Sequence, residues 1–176
     1  MREGSDQIRC LNNSQLTIKI KMILGQLTTP PHLGGGREGV SRGLRNHNPL
    51  NIRRSKDLWK GMAEVQTDRA FVQFKSLEWG WRAAFYLLTR TYYHKYRLDT
   101  IRDIVTRWAP PNENNTQTYI ENVSRLTGID PDDPLGSPSD SPARWMMVGT
   151  AMAIQENGTT SLDYFAMLRG WEMSRE

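Results

Sequence analysis

Cysteine is almost missing from this chain. Cys10 is the only one in 176 residues, so no internal disulfide can form and no thiolate cluster can hold zinc. Histidine is nearly as scarce: His32, His47 and His94 are scattered and make no zinc spacing. No metal and no other cofactor is expected. Long apolar runs are missing too. Nothing approaches the roughly 18 consecutive apolar residues of a membrane-crossing helix, and no transmembrane segment is expected. The one stretch that could pass for a secretory leader, Leu16–Leu24, is interrupted by Lys19 and Lys21 and has no small-residue cleavage site. With no recognisable signal peptide, a target outside the cytoplasm has to be reached by another route.

What is present is ordinary in amount and uneven in placement. A content of 38% hydrophobic and 24% charged residues is that of a globular protein. The length suffices for one domain with a real core but is short for two. Residues 1–45 hold seven Lys/Arg against three Asp/Glu and so account for the whole net charge of +4. Residues 46–107 carry twelve bases against six acids, and residues 108–176 four against ten. That asymmetry fits a groove meeting an anionic polymer on one side, and it equally fits solvated faces.

Residues 1–41 read as a flexible tail, with Pro30-Pro31 and Gly34-Gly-Gly36 and no sustained period beyond a short weak strand at Leu16–Leu24. Residues 42–176 read as the folded domain. Asn46 to Ile52 is a turn-rich loop. Trp59 to Phe74 alternates loosely around Thr67-Asp68 and predicts a small β-hairpin. Ser76 caps a helix with Trp81, Ala84, Phe85, Leu88 and Tyr92 on one face. Thr100-x-x-Asp103 opens a short helix stopped by Pro110-Pro111, and Thr116 opens another that ends at Gly128. A Pro- and Asp-rich connector over Asp130–Asp140 leads to two last helices, Pro142 to Gly158 and Leu162 to Trp171.

The Pro142–Gly158 helix is the most informative. Ser141-Pro142 starts it and Gly158 stops it. Between them the sequence leaves no polar face, as in a helix buried on all sides. Trp145, Val148, Met152 and Glu156 fall on one stripe. Glu156 thus continues an apolar row at the negative end of the helix dipole, where desolvation and the dipole both favour a protonated carboxyl. Such an acid can give a proton to a leaving group. A solvated acid at a helix end would give the same letters.

Four stretches, in order, carry a family resemblance. They are Arg45-Asn-His-Asn-Pro-Leu-Asn-Ile-Arg53; Trp59-Lys-Gly61 with Gln66-Thr-Asp68, Phe71-Val-Gln-Phe74 and Gly80-Trp-Arg-Ala83; Thr100-Ile101 with Arg107-Trp-Ala-Pro-Pro111, Glu113-Asn114, Thr116 and Tyr119-Ile120; and Ala153-Ile154 with Glu156-Asn-Gly158. Over about residues 42–172 the chain resembles a lysozyme-like family of phage virion and prophage proteins related to the soluble lytic transglycosylases. Gln155 departs from that pattern, where the family often has His. The resemblance implies a mostly α, lysozyme-like α+β fold: a helical domain with one small β-hairpin. Because the Glu-bearing helix comes last, it also implies a circularly permuted order relative to lytic transglycosylases. Glu38, upstream of the Asn-Pro loop, sits in a Gly-rich stretch with no helix to hold it and is rejected as the acid.

The implied activity is cleavage of the MurNAc-GlcNAc bond of peptidoglycan, by a lytic transglycosylase or a muramidase, with Glu156 as general acid and base. A hydrolase would want a second carboxylate, for which Glu64 and Asp68 are the candidates; an Asp in a tight turn is also there for turn chemistry. Tyr119 is implied to bond near the acid or the sugar, or is plain core. Asn48 and Asn51 supply amides to acetamido groups, or tie their own loop. Trp59 is the best sugar platform, since Trp81, Trp108 and Trp145 sit at core spacing, and Asn157 completes the expected contacts. The implied partners are peptidoglycan strands and other phage virion proteins, the implied place the virion or the host cytoplasm before release to the cell wall. A non-catalytic virion protein or glycan-binding protein with this fold is the alternative. Nucleic-acid binding through Arg53-Arg54-Ser-Lys56 to Lys60 ranks third and is not expected, because no DNA- or RNA-binding signature accompanies it.

Overall fold

The computed structural model describes residues 39–176; the expected strand at Leu16–Leu24, most of the expected tail, and Cys10, His32 and Glu38 lie outside them. The protein is mostly helical. Among the described residues the order is α1 (Arg42–Arg45), α2 (Leu77–Tyr86), a π-helical stretch (Leu87–Lys95), α3 (Ile101–Trp108), α4 (Thr116–Thr127), α5 (Pro142–Asn157) and α6 (Tyr164–Arg175). They fall into two compact units, one of residues 39–87 with 152–176 and one of residues 88–151. No helix among them is long and apolar enough to cross a membrane.

In the first unit, α2 lies against α6 at very close range. A Cβ on Gly170 of α6 would meet Trp81 Cβ, the Arg82 nitrogen and the Glu78 carbonyl, and the Trp171 ring stands edge-on to Phe85 at 5.2 Å. Ser76 occupies the start of α2, but its hydroxyl makes no cap bond; it holds the Glu78 carboxyl below its ordinary range instead, with the Glu78 backbone N–H helping.

Over Trp59–Phe74 the expected hairpin shows one antiparallel bridge and no strand ladder. The described residues contain two isolated antiparallel bridges, Arg53 with Phe71 and Met62 with Phe74. The reason is a division of partners. Segment 70–75 first pairs with 52–54, through Arg54 N to the Ala70 carbonyl at 2.8 Å and Val72 N to the Ile52 carbonyl at 2.9 Å. It then turns to 61–63, through Ala63 N to the Gln73 carbonyl and Lys75 N to the Gly61 carbonyl, both at 2.9 Å. Neither pairing runs long enough to become a strand ladder.

In the second unit, the chain after Leu87 widens to a π-helix, closed where Tyr96 N reaches back five residues to the Thr91 carbonyl at 3.1 Å. The expected inward row survives this change: Leu88 and Tyr92 are buried. Thr100 caps α3 by accepting from Asp103 N at 3.1 Å, and α3 packs on α4. Asn115, one residue before the expected start, caps α4, while Gly128 ends it at φ 68°, a left-handed geometry that favours glycine. The Asp130–Asp140 connector is pinned by Leu135 N to the Asp99 carbonyl at 2.7 Å and by the Trp145 indole N–H to the Gly136 carbonyl at 2.9 Å.

Gly170→Ala should test the α2–α6 contact. Backbone and a tryptophan stem block the new methyl, so the variant should lose about 1–3 kcal/mol and melt roughly 2–4 °C lower for each kcal/mol lost, read by circular dichroism. An unchanged melting temperature would mean that the two helices can part at little cost.

Candidate active site

The site is built from one irregular loop and one helix end, both in the first unit. Helix α5 runs from Pro142 to Asn157 as the sequence predicts, and Gly158 closes it at φ 64°, its N–H on the Ile154 carbonyl at 2.8 Å. Trp145, Val148 and Met152 are fully buried. Burial then fades: Ile154 and Glu156 are half-buried and Gln155 is exposed. Glu156 therefore is not closed off from water as the stripe predicts. Its carboxylate has a polar companion, since Asn51 Nδ2 donates to Oε2 at 3.1 Å.

The loop that brings Asn51 there is held by its own amides. Asn48 is 0% exposed. Its Nδ2 donates to the carbonyls of Ile52 at 3.0 Å and Val72 at 2.8 Å, and its Oδ1 accepts from Ile52 N at 2.8 Å. Of the two roles open to Asn48, the structure gives it the second. No part of this side chain is left for a sugar, and the expectation that it binds substrate is corrected. Asn51 sits at φ 52° and His47 at φ 51°, left-handed values that Asn and His tolerate better than most residues. The Asn51 Oδ1 is buried with no hydrogen-bond partner.

Asn157 is committed as fully as Asn48. Its Nδ2 donates to the Pro49 and Ala153 carbonyls, both at 2.8 Å, and its Oδ1 accepts from Ser41 Oγ at 2.7 Å. It staples the helix end to the loop. Ser41, given by sequence to the tail, is part of this joint: besides bonding Asn157 it caps α1, accepting from Leu44 N. Gly43 is required beside it. A Cβ there would lie 2.5 Å from Asn157 Oδ1, 2.7 Å from Asn51 Oδ1 and 2.9 Å from the Asn48 carbonyl.

Asp68 is occupied on every side. Arg42 binds it through two N–H groups, each at 2.7 Å, Asn46 Nδ2 donates to Oδ2 at 2.8 Å, and the N–H groups of Ala70 and Phe71 reach Oδ1 at 2.9 and 3.0 Å. The Arg42 fork first, then Asn46 and the two backbone donors, hold this carboxyl far below the usual range. Its geometry is that of a turn residue and not of a second acid or nucleophile. Glu64 is exposed. Trp59 is half-buried on the same loop system, with its ring edge-on to Tyr86 at 6.3 Å. Tyr119 is buried in α4, on the inward row with Ile120 and Val123. The structure thus brings Glu156, Asn51 and Asn157 together with Asn48 behind them; Ser41 and Gly43 are the members that sequence reasoning missed. Among the described residues no group of acidic, histidine or cysteine side chains could hold a metal ion.

The Asp68 knot has a pH signature. Because its folded value is depressed, the stability it supplies is complete above the unfolded value of about 3.9 and is lost as pH falls through the folded one. Asp68→Asn should therefore be less stable than wild type at pH 7 in urea unfolding, and the gap should narrow once pH drops below about 4. A gap that stays constant with pH would show that the carboxylate charge contributes nothing.

No protein-family model matches the sequence. A curated relative, Protein P5 of Pseudoalteromonas phage PM2, is 39% identical over 136 residues, which cover 76% of this chain and 81% of the relative. At that identity and coverage, the chain belongs to the family of phage PM2 Protein P5.

Proposed function

We propose that this protein is a peptidoglycan-cleaving glycosidase of lysozyme-like architecture, acting on the MurNAc-GlcNAc bond with Glu156 as general acid and base. One observation carries the reading. Two of the stretches that carry the resemblance to the lytic family, the Asn48–Ile52 loop and the Glu156-Asn-Gly158 helix end, meet through the Asn51–Glu156 hydrogen bond although 105 positions separate them. A half-buried carboxylate with a fixed amide at one oxygen is oriented as well as accessible, which a proton donor needs. Membership in a phage protein family agrees with a lytic role at the host wall.

The chemistry fits a single carboxylate better than a pair. Inverting and retaining hydrolases both need two carboxyl groups flanking the bond, and Asp68 has its oxygens taken by Arg42, Asn46 and backbone. In the transglycosylase scheme Glu156 protonates the bridging oxygen and the bond to the anomeric carbon breaks. The resulting carboxylate then takes the proton of the sugar's own 6-hydroxyl as that oxygen closes on the anomeric carbon. The product carries a 1,6-anhydro end and no water is consumed. Asn51 keeps the carboxylate aimed through both steps.

Zymography and mass spectrometry test this together. Wild-type protein should clear a peptidoglycan gel and release muropeptides with 1,6-anhydro ends. Glu156→Gln should lower the rate by about 10²–10⁴-fold, the scale of a lost general acid, and Asn51→Ala by a smaller factor. Equal clearing by wild type and Glu156→Gln would remove the acid from the mechanism. No clearing by wild type would leave a glycan-binding or purely structural phage protein. Reducing ends in place of anhydro ends would make it a muramidase.

A further inference from the structure

The segment that leaves the site is charged in a way the fold does not use. Two residues beyond Asn51 the chain enters Arg53-Arg54-Ser-Lys-Asp-Leu-Trp-Lys60, four cations against one acid. Arg53, Arg54, Lys56 and Lys60 are all exposed. The backbone bond from Arg54 N to the Ala70 carbonyl brings exposed Arg69 alongside. None of these five cations makes an ion pair among the described residues. Asp57 accepts from Ser55 Oγ at 2.9 Å, Asp68 is filled by Arg42, and Arg54 gives one N–H to the Asp68 backbone carbonyl at 3.2 Å. Leu58, in the middle of the run, is 91% exposed.

Like charges gathered without counter-charges raise the local potential and favour an anionic partner. Here they follow one another along one exposed segment, so the partner they fit is a chain with repeated negative charges. Asp57 and Glu64 interrupt them, which opposes a polyphosphate with a charge at every step but suits carboxylates set further apart. Leu58 adds an apolar contact that a duplex backbone would not cover and a short peptide would. We infer that the Arg53–Lys60 segment with Arg69 reads the carboxylates of the peptides carried by the glycan, so that the preferred substrate is peptide-bearing peptidoglycan. The identity of the polymer rests on the glycosidase reading; the charge readout does not depend on turnover.

The test uses the full chain with Glu156→Gln, which separates binding from cleavage. Affinity is measured by calorimetry for soluble glycan strands with their peptides and for strands stripped by an amidase, at about 0.05 M and about 0.5 M salt, between which screening of exposed charges rises steeply. The parent should prefer peptide-bearing strands by about tenfold, the scale of two or three exposed charge pairs. Arg53→Gln/Arg54→Gln/Lys56→Gln and the high salt should each bring that preference close to parity. Arg53→Gln/Lys56→Gln, which spares the Arg54 bond to the Asp68 carbonyl, should do so in part while keeping the parent's unfolding midpoint. Equal affinity of the parent for both strands, or a preference that survives charge removal, overturns the inference. So does tighter retention on duplex DNA than on either glycan, which would make the segment a nucleic-acid contact. If wild type cleaves nothing but this preference holds, the inference stands and the glycosidase reading alone fails.

Discussion

A loop that contributes no strand must still find partners for its buried backbone groups, and each one left dry costs about 1–3 kcal/mol. In this protein that constraint falls on Asn48. Its three hydrogen bonds to backbone replace a piece of sheet between residues 48–52 and Val72. Gln73 does similar service further along, its Oε1 taking both the Thr67 and Asp68 N–H groups at 2.6 and 3.0 Å. The glycines follow from the same closeness. At Gly80 of α2 a Cβ would strike the His47 carbonyl, so the helix can lie against the loop only where a side chain is missing.

From that scaffold comes the aim of the polar groups at the helix end. Left-handed backbone at a residue other than glycine costs on the order of 1–3 kcal/mol, and the loop holds two such residues, His47 and Asn51. The His47 ring is tied to the Phe74 carbonyl at 3.0 Å, and the Asn51 amide to Glu156. Both of these residues lie in the loop that reaches the Glu156 carboxylate. On the glycosidase reading this is where rigidity matters most, because a proton donor must keep its direction while a polymer slides into place.

The helices were legible and the joint between them was not. Thr100 as a cap, Gly128 and Gly158 as stops and Pro142 as a start all obey local rules that operate within one turn of backbone. The π-helical stretch breaks such a rule: Leu88 and Tyr92 stand four apart, which fits either winding, so no letter announced the wider turn. The strand ladder expected over Trp59–Phe74 is missing because segment 70–75, which looks like a strand by alternation, divides its pairing between 52–54 and 61–63. Asn48 and Asn157 have the chemistry of binding residues. What they do instead depends on Pro49, Val72 and Ser41, which no spacing links to them. Asp68 shows the opposite case, since its Asx geometry toward Ala70 and Phe71 is what the turn reading predicts.

The bonds that join the helix end to the loop and to Ser41 span 105, 108 and 116 positions. Contacts so distant along the chain are paid for in closure entropy before they return anything. During translation the Asn48–Ile52 loop emerges early and has to wait, its amides wet, until residue 157 has cleared the ribosome. The catalytic geometry proposed for this protein is therefore one of the last things the nascent chain can acquire, and a polypeptide cut short before α5 would carry the loop without the acid it was shaped to meet.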